Sequence, residues 1–75
     1  MEYTVFIHKA EEGGYWVEVP ALPGCFSQGE TIEEALQNVQ EAIALHVEGL
    51  AEDGQPAPRD EGWLVARIPA VTGAE

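Results

Sequence analysis

The stretch from Tyr3 to His8 is rich in aromatic and β-branched side chains and reads as a strand, in which successive residues alternate between two faces. Tyr3, Val5 and Ile7 share one side of it; Thr4, Phe6 and His8 share the other. Lys9 to Gly14 reads K-A-E-E-G-G, a turn whose glycines can take positive φ. The alternation resumes from Tyr15 to Val19, with Tyr15, Val17 and Val19 opposite Trp16 and Glu18, so a second strand is expected to return antiparallel to the first. Pro20 and Pro23 cannot donate to a sheet ladder and close that strand, and Gly24 permits a sharp bend. A brief third β-like run covers Cys25 to Gln28 before Gly29 breaks it.

The period then changes from two to 3.6. Ile32, Leu36, Val39, Ile43, Val47 and Leu50 recur at spacings of three and four and predict a helix over about 32–52 with one apolar stripe. Thr31 followed by Glu34 is a capping box: the hydroxyl accepts from the Glu34 amide and the carboxylate is expected to reach back to the Thr31 amide. Glu33, Glu34, Gln37, Gln40, Glu41 and Glu48 fall mainly off the stripe, and Leu45 lies nearly opposite its centre. Gly54 terminates the helix, and Pro56 and Pro58 keep the linker over 53–62 extended. Trp63 to Ile68 alternates again and predicts a last strand ended by Pro69.

The order β-β-β-α-β gives an α+β domain over residues 1–75, a single sheet with one long helix on one face. One helix leaves the other face uncovered. Parity puts Phe6 and Trp16 there, with Trp63 and Val65 joining them if the last strand pairs, and an exposed aromatic patch of that kind marks an interaction surface. The competing reading is that the Pro-rich segment folds over these aromatics.

Length sharpens this picture. A 75-residue chain has room for one core and buries a modest share of its surface, so small domains draw extra stability from disulfides, metals or a partner subunit. The single cysteine, Cys25, excludes an internal disulfide, and no Cys/His spacing fits zinc. A homo-oligomer, dimer or tetramer, is the expectation. Fourteen acids oppose three bases, Lys9, Arg59 and Arg67, for a net charge of −11. Such a surface repels nucleic-acid backbones, so direct nucleic-acid binding is not expected, and it favours basic partners. The N-terminus lacks a signal-peptide pattern and no apolar run approaches a membrane span, so a cytoplasmic protein is expected, with no membrane partner.

Candidate chemistry is sparse. Cys25 with His8 or His46 is conceivable as a nucleophile and base, yet no third group orients the pair, and Cys25 reads more simply as a small hydrophobe beneath the turn. Gly13-Gly14 opens a strand, not the helix a phosphate loop requires. No catalytic residue, cofactor or metal is expected.

The run L-P-G-C-F-S-Q-G-E-T-I-E-E-A-L, with Gly54, Pro56 and Pro58 beyond the helix, resembles the HicB family of antitoxins. Pro23, Gly24, Cys25, Gly29, Glu30, Thr31, Glu34, Ala35 and Leu36 match that family's turn and helix entry, and the likeness covers residues 3 to 68. The resemblance implies a partial RNase H-like fold, usually oligomeric, and a protein that masks HicA, a small basic RNA-cleaving toxin. It does not imply catalysis, because the first strand lacks the carboxylate that a two-metal nuclease site needs. Family members commonly add a C-terminal DNA-binding domain that is not found in these 75 residues, so operator binding is not expected. On this reading Phe6, Trp16 and Trp63 supply buried anchors to the toxin, while Glu33, Glu41 and Glu48 steer its approach. The alternative is an orphan oligomeric HicB-like domain that binds another protein or a small ligand.

Overall fold

The computed structural model describes residues 1–71 and 73. Strands β1 (Phe6–Lys9), β2 (Tyr15–Glu18) and β3 (Phe26–Gly29) form one antiparallel sheet in chain order, and helix α1 (Ile32–Glu52) follows. The class is α+β. Phe6 pairs with Glu18 and His8 with Trp16 across the first hairpin; Trp16 pairs with Gln28 and Glu18 with Phe26 across β2 and β3.

The helix packs on the sheet face that carries Tyr15 and Val17, seated mainly over β3 and then β2. Val17, Val19, Leu22, Cys25, Ala35 and Val39 are the buried core. Leu22 is its largest fully buried side chain, and it enters from the proline-bracketed turn, not from a strand or the helix. That turn folds inward because Leu22 N–H donates to Val19 O at 2.9 Å, Cys25 N–H to Leu22 O at 2.9 Å and Val19 N–H to Cys25 O at 3.0 Å. Gly24 closes it with φ +85°. Each such buried aliphatic side chain contributes about 1.5–3 kcal/mol.

Helix and sheet meet closely at one point. A Cβ on Gly29 would lie 2.5 Å from Ala35 N and 2.9 Å from Ala35 Cα, so only glycine lets the first helical turn settle on β3. Thr31 caps the helix, its Oγ1 accepting from Glu34 N–H at 3.1 Å. The return bond differs from the expected one: Glu34 Oε1 accepts from the Glu30 amide at 2.7 Å, one residue before Thr31, as the chain bends tightly after Gly29. The helix ends in a Schellman motif, with Gln55 N–H on Leu50 O at 2.8 Å, Gly54 N–H on Ala51 O at 3.0 Å and Gly54 at φ +71°.

Three expectations are corrected. The first strand pairs from Phe6, not Tyr3, although Tyr3 and Val5 still pack against the core. The stripe is centred on Ala35 and Val39, and Ile32 stands exposed at the helix start, beyond the core's edge. Within the chain, the expected strand over 63–68 joins no ladder: Trp63 packs on Phe6, and residues 64–71 are exposed.

Candidate functional site

The face of the sheet turned away from the helix is built from two cross-strand rows, Phe6–Glu18–Phe26 and His8–Trp16–Gln28. Alternation forces this, since Val17 and Tyr15 face the helix and their neighbours on β2 must face outward. The His8 ring lies flat on Trp16, with centroids 4.0 Å apart and planes 13° from parallel. His8 Nε2 is 3.0 Å from Glu18 Oε2, which fixes the imidazole against the indole. Phe26 is 65% exposed and Trp16 37%. They line a shallow hollow together with Ser27 and Gln28. Trp16 and Phe26 are diagonal neighbours on adjacent strands, close enough for one partner side chain to touch both.

The linker borders this face at Phe6. Tyr3 OH donates to Pro58 O at 2.6 Å, and Asp60 accepts from Thr4 Oγ1 at 2.8 Å and from Trp63 Nε1 at 3.0 Å. Trp63 then meets Phe6 edge to face, with centroids 6.1 Å apart and an interplanar angle of 78°. The hydrogen bond from Thr4, reinforced by that from Trp63, holds the Asp60 carboxyl below the ordinary aspartate range. The linker shields Phe6 and leaves Trp16 and Phe26 open.

The structure separates the residues expected to bind a partner into two groups. Phe6, Trp16 and Trp63 lie along the outer sheet face. Glu33, Glu41 and Glu48 are all exposed on the helix. At 100° per residue they cluster about 170° around the helix from Ala35 and Val39, which puts them on the far side of the molecule from the aromatics. One flat contact cannot use both groups. The acids bordering the aromatics are instead Glu18 and Asp60. Phe26 is the residue that sequence reasoning passed over, and its signal was parity: with Cys25 inward, the next residue must point out.

Pro23, Gly24, Cys25, Gly29, Thr31 and Glu34 serve the turn and the helix entry. Cys25 is buried, and burial pushes its thiol up, which suits a packing role and not a nucleophile. Among the described residues no cluster of three or more His, Cys, Asp or Glu is arranged to hold a metal ion, and no helix is long and apolar enough to cross a membrane.

Comparison with known proteins converges on one family. A UPF0150 protein of Thermoplasma acidophilum is 55% identical over 60 residues, covering 80% of this chain and 87% of the relative. The crystal structure of the Burkholderia pseudomallei antitoxin HicB superposes with a TM-score of 0.66 at 40% identity, over 89% of this chain and 48% of that one, so the chain spans about half of that antitoxin's length. A structure described as a HicA3 and HicB3 toxin-antitoxin complex superposes with a TM-score of 0.68 at 36% identity, over 83% of this chain and 72% of the other. The family model for the HicB-like antitoxin of bacterial toxin-antitoxin systems matches residues 3–67, and the chain belongs to that family.

Proposed function

We propose that this chain is an antitoxin that binds a small basic RNA-cleaving toxin of the HicA type and covers its RNA-binding surface, with the outer sheet face as the docking surface. The observation that carries this reading is the pair Trp16 and Phe26, open to solvent on a sheet face that no helix covers. Aromatic side chains held rigid by a sheet make effective anchors because little conformational freedom is lost on binding. Trp16 is further braced by the stacked His8. Glu18, paired across the sheet with Phe26 and held against His8, borders these anchors and supplies a carboxylate acceptor for lysine or arginine side chains. Family membership and the complex formed by the related HicB3 support the choice of partner.

On this reading the protein does no chemistry of its own. A toxin that grips RNA through basic side chains loses its substrate when those side chains face an acidic protein instead. The chain's charge of −11 draws the toxin in at long range, and Glu33, Glu41 and Glu48 act in that encounter and not in the final contact. The single domain acts where the toxin meets its RNA, in the cytoplasm. The test is co-migration on size exclusion with the purified product of an adjacent small basic reading frame. A joint peak that Trp16→Ala and Phe26→Ala together abolish supports the assignment. Separate peaks from two folded proteins point to an orphan domain with another ligand.

A further inference from the structure

The indole of Trp16 has two faces, and the fold treats them differently. His8 covers one: it stands on β1 directly across from Trp16, with ring centroids 4.0 Å apart and planes 13° from parallel. β1 and β3 flank β2 on opposite sides, so the second face turns towards β3. Phe26, Ser27 and Gln28 of β3 wall the hollow on that side. Among the described residues no other ring and no cation stacks on this second face.

Two oxygen acceptors stand beside this hollow. Gln28 is exposed on the same cross-strand row as Trp16, and among the described residues its side-chain amide makes no hydrogen bond. Glu18 lies across the sheet from Phe26. Its Oε2 meets His8 Nε2 at 3.0 Å, and among the described residues its Oε1 makes no hydrogen bond. The four residues lining the hollow are uncharged, while the chain around them carries −11. An open aromatic face, acceptors at its rim and a strongly negative surround together suit a flat cation.

We propose that the hollow takes an arginine side chain of the basic partner, its guanidinium flat on the open face of Trp16 and edged by Phe26. This deepens the antitoxin reading and rests on it. The N–H groups of a guanidinium lie in its plane, so stacking on a ring leaves them pointing sideways. Gln28 Oε1 and Glu18 Oε1 are the acceptors they meet there. Lysine fits less well, because a compact and strongly hydrated ammonium presents no flat face to the ring. An apolar anchor would fill the hollow but leave the Gln28 amide facing hydrocarbon, and it would gain nothing from the surrounding charge. His8 braces the indole from behind, so the open face is set before the partner arrives. Trp16, Gln28 and Glu18 thus confer a preference for arginine that burial of aromatic area alone would not.

The test uses the full chain and short peptides with no toxin, so its failure and that of the antitoxin reading are told apart. Three capped tripeptides carry arginine, lysine or the uncharged isostere citrulline between glycines. Each is titrated at low salt into isotopically labelled protein, and the indole N–H of Trp16 is followed by nuclear magnetic resonance. The arginine peptide should shift it saturably, leave the Trp63 indole unmoved, and bind about fivefold more tightly than the lysine peptide. The citrulline peptide should not saturate. Gln28→Ala, with helical circular dichroism intact, should narrow the preference for arginine over lysine. Equal binding of the arginine and lysine peptides would overturn the proposal. So would citrulline matching arginine, the absence of a saturable shift at Trp16, or a Gln28→Ala variant whose preference is unchanged.

Discussion

His8 lies flat against Trp16, 4.0 Å between ring centroids and 13° from parallel, on the sheet face opposite the helix. The pair forms a rigid platform, since the far edge of the imidazole is held 3.0 Å from Glu18. With Phe26 diagonal to Trp16, this is where the fold leaves aromatic surface unspent.

Removing the platform should weaken partner binding without unfolding the chain. Trp16→Ala and Phe26→Ala should each cost about 2 kcal/mol, roughly 30-fold in toxin affinity, mostly through faster dissociation. Glu33→Gln with Glu41→Gln and Glu48→Gln should slow association and leave the dissociation rate near the parent's, because those carboxylates lie behind the helix. Surface plasmon resonance separates the two rates.

Gly29 is predicted to be the least replaceable glycine. Its Cβ would meet the backbone of Ala35 at 2.5 Å, and backbone cannot move aside as a flexible side chain can. Gly29→Ala should cost about 1–3 kcal/mol, lowering the melting temperature by roughly 4–8 °C per kcal/mol. Gly49→Ala, with open space around the added methyl, should raise stability slightly. Thermal melts followed by circular dichroism at 222 nm compare them.

Leu22 and Val39 test the core. Leu22→Ala should cost about 2–5 kcal/mol, although the residue sits in a turn, because it is fully buried. Val39→Asp buries a charge with no partner and should unfold the domain. Urea titration reads both.

Acid should release the linker anchor. The Asp60 carboxyl is held below its ordinary range, so its contribution is present above about pH 4 and is lost as pH falls through the lowered value. In a Trp16→Phe background, Trp63 emission should shift in that acidic window. Asp60→Asn should remove the pH response.

The helix was legible residue by residue because three signals agree: the Thr31 cap, the stripe from Leu36 to Leu50 and the Gly54 stop. Parity on β1 and β2 likewise placed Phe6 and Trp16 on the outer face. Leu22 was hidden because a proline-bracketed turn has no period, and its burial depends on hydrogen bonds among Val19, Leu22 and Cys25. Phe26 was missed because its strand is four residues long, too short to display alternation by itself. The pattern over 63–68 was also visible, but a strand exists only where a ladder forms, and within the single chain Trp63 reaches Phe6 through its side chain while residues 64–68 stay exposed. Charge counting grouped Glu33, Glu41 and Glu48 with the aromatics, and the layer order, helix on one face and open sheet on the other, parts them.

The central claim is that this chain silences a toxin by covering it. The most direct measurement is RNA cleavage by a purified basic toxin of the HicA type while this protein is titrated in. The account predicts that cleavage falls to background at stoichiometric protein, and that the Trp16→Ala, Phe26→Ala double variant restores it. Undiminished cleavage in excess folded protein would contradict the antitoxin role, and full inhibition by the double variant would contradict the docking face.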